Sequence, residues 1–191
     1  MRKQAIVKSA TYLFGELGYE KATTLMIAKE GKVSEALIFK HFKSKVGLLQ
    51  HIVKTGYTNI ILTNKGMLSE KAPLTFIYNV LDLPAKLVKD NSDFWKMQAR
   101  MMDIRICKEA HEHFMQPVHK LLLEAFKNLG YKEGVLETKF LMLIIDIIWK
   151  NHAKDPNFES KELTDFIKSK YTLQKLNHSA LKVQRFINTG D

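Results

Sequence analysis

Cysteine, acidic charge and uninterrupted apolar sequence are all scarce in this chain, and each shortage excludes something. The single thiol, Cys107, cannot close a disulfide within the chain, which excludes a disulfide-stapled scaffold and makes a reducing, cytoplasmic setting the expectation. The longest near-continuous apolar stretch, Phe140 to Trp149, is closed by Lys139 and Lys150 and contains Asp146. A membrane span needs roughly 20 apolar residues, so burial between subunits explains the stretch better than insertion into a bilayer. The opening MRKQAIVKSATYLFGELGYE mixes charge with apolar residues, unlike a signal-peptide core. With 9 glycines, 4 prolines and no repeat, collagen and mucin-like chains are out. At 46% hydrophobic and 10% aromatic residues, the 191-residue chain has the material for a packed core. Against 20 Asp+Glu stand 30 Lys+Arg, a net charge of +10 that suits a polyanionic partner, either nucleic acid or an anionic membrane surface.

The excess is local. Residues 1–54 hold ten Lys/Arg and four Asp/Glu, and no proline occurs before Pro73. The chain therefore reads as two domains, 1–50 and 51–191, with no Gly, Ser or Pro linker between them and a helix shared across the boundary. Apolar spacing is helical almost throughout, and no strand pair is expected. Ile6, Ala10, Leu13, Phe14 and Leu17 line one face of a first helix that Gly18 ends. Thr23 or Thr24 caps a short second helix and Ser34 a third. Longer helices are expected over 45–63, 73–90, 93–105, 107–129, 133–153 and 159–171, with a last one over 173–187. Pro84 and Pro117 fall inside two of these patterns, where kinks or breaks are expected.

Residues 24–42, TLMIAKEGKVSEALIFKHF, have the spacing of a helix-turn-helix. A small residue is needed where the helices cross, here Ala28, and apolar residues must close the angle, here Ile27, Val33 and Ile38. Such a unit lays its second helix in the major groove of DNA, N-terminal end first.

Ala10, Leu13, Phe14, Glu16, Gly18, Tyr19 and Thr23, then Ile27 with Ala28, Val33 with Ser34, and HFKSK at 41–45, resemble in order and spacing the DNA-binding domain of the TetR family of bacterial transcriptional regulators. The resemblance covers about residues 5–53; the remainder agrees with the family in length and helical character. It implies an all-α homodimer whose subunits have an N-terminal three-helix domain and a larger helical domain. That second domain binds a small effector, which lowers DNA affinity, and dimerises, usually through its last two long helices. Double-stranded DNA with a pseudo-palindromic operator is the implied partner, and no enzyme activity is implied. Carried onto this sequence, Thr24 meets phosphate, Ser34 caps the recognition helix, and Glu35, Ala36, Leu37 and Lys40 read base edges. Phe39, His41 and Lys45 fall at phosphate-contact positions, and Lys43 is an added basic candidate. Two departures stand out. Phe39 replaces the usual tyrosine and loses a hydroxyl donor; as a phenylalanine it is equally suited to the core. Lys32 occupies the usual place of the turn glycine, with Gly31 one position earlier, so either Lys32 turns left-handed or the turn rearranges around Gly31, and rearrangement is the expectation.

In the second domain Cys107, His111 and Met115 align on one helix face, with His113 and His119 nearby, a soft-ligand pattern that could hold copper or haem. Cysteine and methionine are also ordinary core fillers, and no paired metal-ligand spacing occurs, so neither metal nor cofactor is expected. Asp103 and Glu109 read as exposed charges, and no catalytic motif is present. Large adaptable side chains suited to a lipophilic effector pocket are Phe76, Val80, Trp95, Met101, Met102, Phe114, Met115 and Phe140. The reading is a homodimeric repressor released from its operator by a small lipophilic effector. Its rivals are a constitutive or protein-controlled regulator without a ligand, a metal or haem sensor, and a membrane-associated basic protein.

Overall fold

The computed structural model describes residues 2–171 of the chain, and the helix expected over 173–187 lies outside them. The described residues form ten helices and no strand: α1 (Arg2–Leu17), α2 (Thr24–Glu30), α3 (Glu35–Phe42), α4 (Lys45–Thr63), α5 (Lys65–Leu68), α6 (Pro73–Asp90), α7 (Ser92–Arg100), α8 (Arg105–Asn128), α9 (Gly134–Lys154) and α10 (Lys161–Lys170). An N-terminal helix-turn-helix domain passes through α4 into a larger helical domain, as expected. The apolar stripe of α1 is buried at Ile6, Ala10, Leu13 and Phe14, and Gly18, at φ +80°, ends the helix in the left-handed region that favours glycine. Thr23 caps α2 by accepting the Met26 N–H at 3.1 Å.

Three expectations are corrected. The helix expected to reach residue 105 stops at Arg100, where the Met101 N–H is shared between the carbonyls of Met97 and Gln98 and the turn tightens. The single turn of α5 was not foreseen; buried Asn64, whose side-chain amide donates to the Ile60 carbonyl at 2.9 Å, ends α4 and begins it. Of the kink or break expected at each internal proline, the break does not occur: α6 continues through Pro84 and α8 through Pro117. A proline removes one donor, and the apolar faces on either side of each hold the helix together.

Two buried clusters make the core. The first joins α1–α4 to α7 and reaches Cys107, Phe114 and Trp149 on the long helices. The second packs α6, α8, α9 and α10 around Ile77, Leu81, Leu122, Phe126 and Leu141. Helix α7 is wedged between the DNA-binding domain and the rest. A Cβ on Gly15 of α1 would lie 3.3 Å from the Met97 backbone nitrogen, and one on Gly56 of α4 would lie 2.2 Å from the Phe94 ring. Lys96 adds an ion pair to Glu16 at 2.6 Å.

Helix α9 explains the apolar stretch at 140–149. Leu141, Ile145, Ile148 and Trp149 face the core. Leu136, Phe140, Leu143 and Ile147, spaced by four, three and four, form an outer face that is 58%, 41%, 65% and 50% exposed. The stretch is therefore buried on one face of the single chain, not on several.

Candidate DNA-binding surface and interior cavity

The starts of α2, α3 and α4 come together on one side of the molecule. The Thr24 hydroxyl, opening α2, donates to the Glu35 carboxylate, opening α3. Lys45, opening α4, places its ammonium 4.3 Å above the Tyr19 ring and donates to the Glu20 carbonyl at 3.4 Å. That ammonium is held close to a helix N-terminus, where the helix dipole also favours an anion such as phosphate. Ala36, Phe39, Lys40, His41 and Lys43 are exposed, whereas Leu37 packs in part against the first core. Phe39, at 44% exposed, takes the surface alternative.

Two details of this face differ from expectation. Ser34 stands at the N-cap of α3 by its backbone, but its side chain makes no capping bond. The turn does not rearrange around Gly31, which stays right-handed at φ −78°. Instead Lys32 takes φ 51°. The cause lies in the hydrogen bonds: Val33 N–H donates to Ala28 and Lys32 N–H to Lys29, the paired Schellman bonds that require a left-handed residue at position 32. Gly31 serves another need, because a Cβ there would lie 3.2 Å from the Ile27 carbonyl oxygen and 3.3 Å from the Ser9 hydroxyl of α1. Lys43 ends α3 with φ 69°, which no feature of the sequence announced. Gly47 was also missed, although a glycine in the first turn of a helix is a visible signal; a Cβ there would lie 2.2 Å from the Phe42 carbonyl oxygen.

The second site is internal. A cavity of about 30 Å³ lies among α6, α7, α8 and α9. Of the sequence candidates, Val80, Trp95, Phe114 and Met115 line it. Phe76 belongs to the second core and Met101 to the first, Met102 sits beside Gln98, and Phe140 faces outward on α9. Their corrected placement has one cause: apolar type marks a buried helix face without telling which buried face meets the cavity. His111 and Trp149 also line the cavity, the first having been weighed only as a metal ligand.

His111 Nδ1 and the Tyr57 hydroxyl are 2.9 Å apart, tying α8 to α4. The Tyr57 ring stacks on Phe114 at 4.7 Å, and the Trp149 ring lies 5.2 Å from Trp95 and 5.0 Å from His111. Burial is the main force on His111, pushing its pKa down to about 4; nearby Lys150 lowers it further and Asp146 opposes. The same burial pushes the Cys107 thiol up to about 12, leaving it a protonated core group. Trp149 donates its indole N–H to Asp146 at 3.1 Å. The indole N–H of Trp95 and the side-chain carbonyl of Gln98 have no partner among the described residues. Among those residues, no group of three or more His, Cys, Asp and Glu is placed to hold a metal, and no helix is long and apolar enough to cross a membrane. A larger groove of about 990 Å³ runs over the surface past Lys86, Asp90, Lys96, His152 and Glu159. Its charges are of both signs, and Lys86 pairs with Asp90 at 2.7 Å.

Residues 6–52 match the family model of bacterial regulatory proteins, tetR family. The HTH-type transcriptional regulator YvkB of Bacillus subtilis (strain 168) is 27% identical over 139 residues, covering 70% of this chain and 69% of that protein. A TetR-like transcriptional regulator from Rhodococcus sp. RHA1 shares the fold with a TM-score of 0.70 at 13% identity, over 88% of this chain and 92% of that one. The regulator FadR from Bacillus subtilis, solved in complex with stearoyl-CoA, gives a TM-score of 0.67 at 14% identity, over 87% and 95% of the two chains. Residues 6–52 thus match the DNA-binding domain of the tetR family of bacterial regulatory proteins, and the remaining helices follow the fold of TetR-like regulators.

Proposed function

We propose that this regulator is a homodimeric repressor, working in the cytoplasm, that leaves a pseudo-palindromic operator when a small lipophilic effector enters the cavity. In this reading residues 1–50 bind DNA, and residues 51–191 dimerise and take the effector. The observation that carries it is the aromatic cluster around Tyr57. That residue is on α4, the helix that begins at the DNA face with Lys45, yet it bonds to His111 and stacks on Phe114, both at the cavity. A ligand that moves His111 or Phe114 therefore moves α4. An effector lowers DNA affinity only by favouring a conformation that binds DNA badly. In a dimer, a small swing of α4 changes the separation of two recognition helices that must sit about 34 Å apart to enter successive major grooves.

The outer face of α9 supports dimerisation, since Leu136, Phe140, Leu143 and Ile147 form an apolar strip exposed in the single chain. Selection of bound duplexes from a random library by the full chain tests the reading. It expects an inverted repeat occupied by two chains, and absence of any sequence preference would refute it. One observation favours a second reading: a cavity of about 30 Å³ holds little more than a water molecule, as suits a regulator controlled by a protein partner or by none. Screening for compounds that release the selected operator separates the two.

A further inference from the structure

We infer that Glu35 selects a cytosine in the operator, and that Thr24, instead of gripping a phosphate, is the positioning residue that aims the Glu35 carboxylate. This deepens the reading of the chain as a DNA-binding regulator and rests on α3 entering the major groove.

The observation is the bond joining the starts of two short helices. The Thr24 hydroxyl, at the first residue of α2, donates to Oε1 of Glu35, the first residue of α3. A hydroxyl has one proton, so while this bond stands Thr24 cannot donate to a phosphate. Both residues are half-buried, whereas Ala36, Phe39 and Lys40, which follow Glu35 along α3, are exposed. Glu35 therefore sits beside the exposed face of α3, at the end that enters the groove first. Its other oxygen, Oε2, makes no hydrogen bond or ion pair among the described residues.

A carboxylate in this place works against affinity. It meets phosphates of its own sign and sheds water as the helix docks, so on an average sequence it weakens binding. That loss is offset only where the DNA supplies a donor to Oε2. Cytosine and adenine are the two bases that present an amino group in the major groove, while guanine and thymine present acceptors. On adenine the amino group stands beside N7, an acceptor that repels a carboxylate. Cytosine presents its N4 amino group with no acceptor on its own edge, and is the base from which a glutamate accepts. Because Thr24 already fixes the carboxylate, little side-chain freedom is lost when the base arrives. Selectivity then comes from a group that penalises every other base at that position.

The test uses the full-length chain. Selection from a random duplex library defines the operator, first for the wild type and then for Glu35→Gln. One position in each half-site should change from cytosine to adenine, because glutamine pairs with adenine N6 and N7. At that position cytosine is then replaced by N4-methylcytosine, which still pairs with guanine but turns a methyl group into the groove in place of the N–H. The wild type should lose about tenfold in affinity per half-site, as the loss of one hydrogen bond to a charged group implies. Glu35→Gln should not distinguish the two duplexes, and should bind random DNA roughly fivefold more tightly at low salt, one repulsive charge having been removed. Thr24→Val keeps the side chain's shape; it should lose most of the discrimination against N4-methylcytosine while binding random DNA as the wild type does. Thr24→Ser restores the hydroxyl and should restore the discrimination.

The proposal is overturned if the wild type tolerates N4-methylcytosine, if Glu35→Gln still selects cytosine, or if Thr24→Val weakens operator and random DNA alike, as loss of a phosphate contact would. Should a variant fold poorly, the wild type on the two duplexes decides. A chain that selects no sequence refutes the DNA-binding reading itself, whereas a selected operator whose bases do not respond to Glu35 overturns only the cytosine assignment.

Discussion

Lys32 and Lys43 both hold positive φ, at the ends of the two short helices of the DNA-binding domain. A Cβ in this region meets the following carbonyl, a strain of roughly 1–2 kcal/mol that glycine escapes. Lys32 is exposed and its side chain makes no hydrogen bond or ion pair among the described residues, so Lys32→Gly should stabilise the protein by about 0.5–1 kcal/mol after allowing for the freer unfolded chain. Thermal unfolding should then shift upward by roughly 2–3 °C, and a decrease would show that the left-handed lysine is not strained. His111 supplies a second test at this scale. Its folded pKa is held at about 4, below the ordinary 6.5, so between these values the unfolded chain binds more protons than the folded one. Stability is complete above pH 6.5 and declines as the pH falls toward 4, by on the order of 3 kcal/mol if the group stays as buried as it is here. His111→Gln removes the titration while retaining a polar partner for Tyr57, and its denaturant midpoint should fall less steeply over that window. His51 and His152, also lowered chiefly by burial, leave a residual slope.

At the scale of elements, the proposed reading has α3 and the start of α4 divide the labour of DNA binding. Lys45 is fixed by Tyr19 and Glu20 at a helix N-terminus, where the proposal has it clamp a phosphate, whereas Lys40 lies in the last turn of α3. Lys45→Ala should weaken operator and random DNA alike and reduce the salt slope by about one unit. Lys40→Ala should in addition relax preference at one base pair, by about 1–3 kcal/mol. Binding measured on both duplexes over a salt series checks this, and equal losses on both for both variants would reject the division. Helices such as α4 and α6 were legible because their apolar stripes are regular and their ends carry Ser44 or Pro73. The turn at Lys32 was not. Glycine normally answers a demand for positive φ, but here Gly31 answers a demand for space against α1, which no local pattern reveals. The cavity was half legible for a similar reason. Val80, Trp95, Phe114 and Met115 were visible as large apolar residues at helical spacing, but that spacing cannot separate a residue at the cavity from Phe76 in the second core or Phe140 on the surface.

For the whole molecule, the decisive question is what covers the outer face of α9. Leu136, Phe140, Leu143 and Ile147 recur at coiled-coil spacing, and Leu121 of α8, 37% exposed, is a further exposed apolar side chain on the preceding long helix. In the proposed homodimer a second copy would meet this face with the same residues, because a two-fold interface is self-complementary. Glutamates at Leu143 and Ile147 would then put like charges from both chains into one apolar contact. The two leucine and isoleucine side chains are 65% and 50% exposed in the single chain, so their replacement should leave each subunit folded with an unchanged helical spectrum. Leu143→Glu combined with Ile147→Glu should elute at the size of one chain and lose at least about a hundredfold in affinity for the full operator, since each recognition helix would then bind its half-site without the linked partner. Its affinity for an isolated half-site should equal that of the wild type. A double variant that remains dimeric with intact operator affinity would place the subunit contact on another face and free α9 for a different partner.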